Sequence, residues 1–171
     1  MSKQILLFFL LVFAVNFAFS QSTDSIMIDT TLIDSELIFQ DSITALNEQN
    51  ELFSSSRRAY NEGLFLFEND KFTEAKAFFF DAVNIDSVFS KAWYYKGKCY
   101  QALNNDMSAE IDFITSYRLD SSDFSPLYAL AKIQANNNID LAIKTYYSII
   151  KSSNQQSKAY YEIGVLFYVQ K

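Results

Sequence analysis

Small and aromatic positions recur along residues 56–171 at a spacing of 34. Gly63 returns as Gly97, Ala131 and Gly164, Ala75 as Ala109 and Ala142, and Phe79 as Phe113 and Tyr146. Within each unit the apolar residues fall three and four apart, the interval that keeps side chains on one helical face. In the second unit Trp93, Gly97 and Tyr100 mark a first helix. Ala109, Phe113 and Ser116 mark a second, with a turn predicted at Asn104-Asn105-Asp106. Gly97 and Ala109 are small enough to let the two backbones approach, with aromatics filling the space around that contact. The pattern predicts helix pairs stacked in a row, in units 56–89, 90–123 and 124–156 with a partial unit at 157–171. One such pair cannot bury its apolar face alone, so each unit needs its neighbours.

The third unit departs from the others in two places. Ala131 and Ala142 are eleven apart, against twelve for Gly97 and Ala109, so the Asn136-Asn137-Asn138 turn is one residue shorter. Ile149 stands where Ala82 and Ser116 stood, which predicts looser or shifted packing onto the fourth unit. Ser125-Pro126-Leu127 opens the unit as a helix start, with Ser125 as cap and Pro126 in a first turn that needs no amide donor. The fourth unit supplies only a first helix, with Tyr160, Ile163, Gly164 and Phe167. Apolar area is worth about 25 cal/mol per Å2 when buried, so a wet edge there is unfavourable by several kcal/mol. Either the chain is the front of a longer protein, or helix 157–171 meets another chain.

Upstream, Phe39, Ile43, Leu46 and Phe53 predict an amphipathic helix over 35–55, a candidate cap for the first unit. Residues 21–34 read as a polar, acidic linker. Lys3, an apolar run from Ile5 to Phe19 and the small residues Ala18 and Ser20 describe an export signal, 1–20, removed after Ser20. The run is short of the roughly 20 residues of a membrane span. Retention as an N-terminal membrane anchor is the alternative.

The order W-x3-G-x2-Y from Trp93, A-x3-F from Ala109 and L-D-S at 119–121 resembles the tetratricopeptide repeat. The first unit repeats it with Gly63, Leu66, Ala75, Phe79, Ala82 and Ile85-Asp86-Ser87. It departs at Ala59, where the first aromatic is expected, and Ser87, Ser121 and Asn154 replace the usual exit proline. The resemblance covers residues 56–171. It implies an all-α, right-handed superhelical solenoid of antiparallel helix pairs, whose first helices line a concave groove for a peptide or protein segment.

The ligand-facing positions the resemblance implies are Arg57, Tyr60, Leu64, Phe67 and Glu68, then Lys91, Tyr94, Lys98, Gln101 and Ala102. The later units give Ser125, Tyr128, Lys132, Ala135 and Asn136, then Lys158, Tyr161, Val165, Tyr168 and Val169. Tyrosine recurs at the fifth position of every unit. Arg57, Lys91, Lys98, Lys132 and Lys158 outweigh Glu68, which predicts a mildly basic groove suited to acidic or carboxylate groups. The alternative is that these tyrosines only pack between helices while the lysines are solvated. The two-carboxylate clamp of chaperone-binding relatives needs Lys and Asn at the fifth and ninth positions. Tyr60 with Leu64, and Tyr94 with Lys98, disfavour it here.

Composition narrows the chemistry further. Phe 17 and Tyr 11 against Gly 3 and Pro 1 point to packed helices. With His 0 and Cys 1 the chain lacks the commonest general base, nucleophile pairs and zinc ligands, so no enzyme activity, metal or cofactor is expected. Cys99 is expected as a small buried apolar residue. Glu110 and Asp112 are expected as solvated surface charges. Residues 21–55 carry Asp24, Asp29, Asp34, Glu36, Asp41, Glu48 and Glu51 and no base, while acids and bases balance over 56–171. A neutral body with an acidic leader disfavours nucleic acid, which requires a basic surface; that leader is itself a candidate occupant of the groove. The resulting expectation is a non-catalytic interaction scaffold of the bacterial cell envelope, periplasmic or secreted. The alternative is the oligomerisation or sensor half of a longer exported protein.

Overall fold

The computed structural model describes residues 30–152 and 156–169. Among these the chain is helical throughout: α1 (Thr30–Glu68), α2 (Phe72–Ile85), α3 (Ser90–Ala102), α4 (Asp106–Leu119), α5 (Ser125–Asn137), α6 (Ile139–Ser152) and α7 (Gln156–Val169). It divides into two compact units, 1–44 and 45–171, and of the first only the opening of α1 is described. The expected export signal, most of the acidic linker and the exit at Asn154 lie outside the described residues.

Successive helices from α2 to α7 pack side by side, and α3 also touches α5 across the intervening α4. This is a helical-repeat solenoid, as the periodicity predicts. The helix expected over 35–55 lies within α1, where Leu46, Leu52 and Phe53 are exposed. No Pro or Gly interrupts residues 35–55, so nothing in the backbone stops the helix before the first unit begins.

Each joint repeats in detail. Asp70 and Asn104, 34 apart, both adopt φ 57° to turn the chain between the helices of a pair. Short polar side chains tolerate this left-handed conformation better than most. The shorter third turn has no such residue; Asn138 is extended, and its side chain accepts from Leu141 N at 3.0 Å. The turn therefore closes with one residue fewer. Between pairs, Asp86 accepts from Val88 N at 3.1 Å and Asp120 from Ser122 N at 3.1 Å. These local carboxylate turns stand where the exit proline is usual. Asn105 caps α4 by accepting from Ser108 N, and Asp106 belongs to the helix and not to the turn. Ser125 is not the cap of α5. Phe124 occupies that position, and the Ser125 amide donates to Asp123 Oδ1 at 2.8 Å.

Gly63 and Gly97 make room for rings. A Cβ at Gly63 would lie 2.8 Å from Phe79, and at Gly97 2.8 Å from Phe113. Glycine is needed here for close approach, and burying each ring is worth roughly 1.5–3 kcal/mol. Ala75, Phe79 and Cys99 form one cluster, Ala82, Val83 and Ala92 a second, and residues from Ala109 to Ile163 the third and largest. Ile149 is fully buried in that third cluster, together with Ala159 and Ile163 of α7.

A hydroxyl bridge recurs at the first two pairs with its direction reversed. Ser56 Oγ donates to the Ala82 carbonyl at 3.0 Å, while Ser116 Oγ donates to the Ser90 carbonyl at 2.9 Å. Ser56 and Ser90 share one place in the repeat, and Ala82 and Ser116 share the other.

Candidate functional site

The fifth-position tyrosines are packing residues first. Tyr60 sits 5.7 Å from Phe79, Tyr94 5.8 Å from Phe113 and Tyr128 6.0 Å from Tyr146, ring centre to ring centre. Each buttresses the aromatic of the second helix in its own unit. Burial, with Tyr95 nearby, pushes the Tyr60 phenol up to about 12, and burial raises Tyr94 and Tyr128 as well. Tyr128 retains only 6% exposure, whereas Tyr161 is 71% exposed. Leu64 and Phe67 are also half-buried, packed against Ala75, Phe79 and Cys99. Arg57 is exposed and lies 4.6 Å from the Phe53 ring one turn earlier, and Lys91 is exposed beside the second joint.

The remaining groove residues converge along α3, α5 and α7. Lys98 is half-buried and donates to Gln101 Oε1 at 3.1 Å. Burial, and then the positive charge of Lys132, hold the Lys98 pKa below its usual value. Among the described residues no carboxylate comes within ion-pair distance of Lys98. Lys132 reaches Glu162 at 4.0 Å, and the Lys158 ammonium lies 4.4 Å over the Tyr128 ring. Lys98, Lys132 and Lys158 thus lie along these helices, the last of them against a tyrosine ring. Glu162 tempers their charge, and Asp123 lies close enough to Tyr94 to raise its phenol. Sequence reasoning missed both acids. The interval of four between Lys158 and Glu162 was the available signal for the first.

Asp112 corrects another expectation. It is 3% exposed, with Oδ1 3.2 Å from Lys96 Nζ and a buried Oδ2 that has no hydrogen-bond partner among the described residues. The Lys96 ammonium also lies 4.0 Å over the Trp93 ring. Burial pushes the Asp112 carboxyl up to about 6, the ion pair with Lys96 pulling the other way. The stripe Ala109, Asp112, Phe113 and Ser116 has intervals of three, one and three, so a helical wheel places Asp112 on the buried face. Cys99 is buried as expected, and burial pushes its thiol up to about 12.

Comparison with known proteins bears on this arrangement. No family model matches the chain. A TPR repeat-containing protein, MJ1428 of Methanocaldococcus jannaschii, is 31% identical over 120 residues, 70% of this chain but 20% of that protein's length. The first TPR of Spaghetti (RPAP3), bound to the HSP90 peptide SRMEEVD, superposes with TM-score 0.62 at 16% identity over 68% of this chain and 94% of that one. The fold is a tetratricopeptide-repeat solenoid. PcrH in complex with the chaperone-binding region of PopD has the same fold, with TM-score 0.60 at 14% identity over 67% and 92% of the two chains. The sequence match and the shared architecture together support the tetratricopeptide-repeat family. No described helix is long and apolar enough to cross a membrane.

Proposed function

We propose that this tetratricopeptide-repeat chain is a non-catalytic protein-interaction scaffold of the bacterial cell envelope. Its N-terminal signal directs export, and the face along α3, α5 and α7 holds a peptide or protein segment. The observation that carries this reading is the run of Lys98, Lys132 and Lys158 along these helices, where Glu162 on Lys132 is the one carboxylate that reaches any of the three among the described residues. A locally basic face of this kind favours an acidic partner. The RPAP3 and PcrH neighbours, each solved with a bound partner segment, make peptide binding the natural use of such a face. The HSP90 peptide itself is not carried over, because Tyr60 and Leu64, then Tyr94 and Lys98, stand where a two-carboxylate clamp requires Lys and Asn.

The test is affinity capture from envelope extract with the wild-type chain and with Lys98→Ala/Lys132→Ala. Lys132 is 60% exposed and Lys98 is half-buried, so the double variant is expected to fold. Loss of partners in the variant supports the reading; identical partner sets would move recognition off this face. Fractionation with N-terminal sequencing tests export, with Gln21 expected as the first residue of an envelope protein.

A further inference from the structure

Along α1 one pattern returns every seven residues. Ala45-Leu46, Leu52-Phe53, Ala59-Tyr60 and Leu66-Phe67 are adjacent pairs at that spacing, and Gln49, Ser56 and Gly63 fall between them. A seven-residue interval keeps such pairs in one slowly winding stripe along a helix. From Ser56 onward the stripe is covered. Ser56 Oγ reaches the Ala82 carbonyl, Phe79 fills the space over Gly63, and Phe67 meets Phe72 at 5.3 Å between ring centres. These contacts run α2 antiparallel to α1, with Ala59, Tyr60, Leu66 and Phe67 packed on the core clusters. α2 ends at Ile85, one turn past the carbonyl that Ser56 reaches. Before Ser56 the pattern continues without that cover: Leu46, Leu52 and Phe53 are 57%, 55% and 50% exposed. These exposed residues lie inside α1, with helix before and after them.

We propose that this stretch of α1 docks a basic amphipathic helix of another protein, whose apolar stripe lies over Leu46, Leu52 and Phe53 and whose lysines or arginines follow the acidic edge beside them. Charge selects the partner. Residues 36–56 hold Glu36, Asp41, Glu48 and Glu51 and no base. Asp41 and Glu48 stand four residues before Ala45 and Leu52, adjacent to them on the helix surface, so acids follow one edge of the stripe. Among the described residues none of the four acids forms an ion pair. A second copy has no base over these residues to set against that edge, and like charges brought together count against it as the occupant. A basic helix answers the stripe and the edge at once. The proposal goes beyond the binding reading: it concerns another face, of opposite sign to Lys98 and Lys132, so either can fail without the other.

Fluorescence anisotropy of two labelled helical peptides with the purified chain tests it. Both carry leucine at the apolar positions of about three heptads; one has lysine on the flanks and the other glutamate. The lysine peptide is expected to bind at least about tenfold more tightly than the glutamate peptide, by a margin that shrinks as salt rises. Leu46→Ser/Phe53→Ser changes exposed side chains and leaves every charge in place. Its helicity by circular dichroism is expected to hold, while the dissociation constant for the lysine peptide rises about tenfold or more. Glu48→Gln/Glu51→Gln is expected to raise that constant severalfold at low salt with the stripe intact. Lys98→Ala/Lys132→Ala is expected to bind the lysine peptide as the wild type does. Equal affinity for the two peptides, no binding of the lysine peptide at about 0.1 mM, or binding undiminished by Leu46→Ser/Phe53→Ser would each overturn the proposal. So would a wild-type chain whose self-association in sedimentation equilibrium is abolished by Leu46→Ser/Phe53→Ser, since a second copy would then be the occupant.

Discussion

Removing Asp112 alone is expected to damage the second pair more than removing it together with Lys96. The two side chains are 9% and 5% exposed and meet at 3.2 Å between α3 and α4. Asp112→Leu strands a buried ammonium against the Trp93 ring, and breaking a buried pair from one side typically destabilises by about 3–5 kcal/mol. Lys96→Met/Asp112→Leu removes both charges, together with the unpaired Oδ2, and is expected to be neutral or more stable by about 1–4 kcal/mol. Urea unfolding at pH 7, followed by circular dichroism, reads both. Acid adds an independent sign. Because the folded carboxyl titrates near 6, above the unfolded value of about 3.9, the folded state binds the extra proton between them. This carboxyl therefore favours folding less as pH rises from about 4 to about 6, a contribution that Asp112→Asn removes. A single Asp112→Leu substitution that shifts stability by under about 1 kcal/mol, with the double variant no better, would refute the account of a strained buried pair.

Gly97→Ala places a Cβ 2.8 Å from Phe113 and 3.2 Å from Asp112 Cβ, and is expected to lower stability by about 1–3 kcal/mol. Gly164→Ala meets nothing within 4 Å among the described residues, and it is expected to gain about 1 kcal/mol from helix propensity. Thermal unfolding of the two side by side checks the contrast. Cys99, with its thiol pushed up to about 12, is expected to stay unreactive toward a thiol reagent at pH 8 and to react only as the chain unfolds. Comparing labelling with unfolding across a urea series tests this.

Much of the architecture was legible in the sequence because the packing recurs where the residues recur. The phase of Gly63, Gly97, Phe79 and Phe113 located the contacts between helices, although Gly97 admits a ring where a backbone was expected. Less legible was anything decided by two distant groups at once. Asp112 reads as surface charge until Lys96 is seen opposite it, and Ile149 reads as an obstruction until the α7 joint is seen closed around it. The groove positions were expected by resemblance, yet Tyr60, Tyr94 and Tyr128 turn inward, since an aromatic beside a glycine-sized gap gains more from burial than from solvent. The extension of α1 was missed for a different reason: a change of role along the chain need not interrupt a helix.

The reversed serine bridges have a wider consequence. Ser56 and Ser116 sit on opposite sides of equivalent joints, yet each spans its joint with a bond of nearly the same length. A comparison that scores one column of residues at a time registers two mismatches there, although the mechanical connection is unchanged. Ancestry in such a protein is better sought in pairs of positions that exchange chemistry than in letters that stay put.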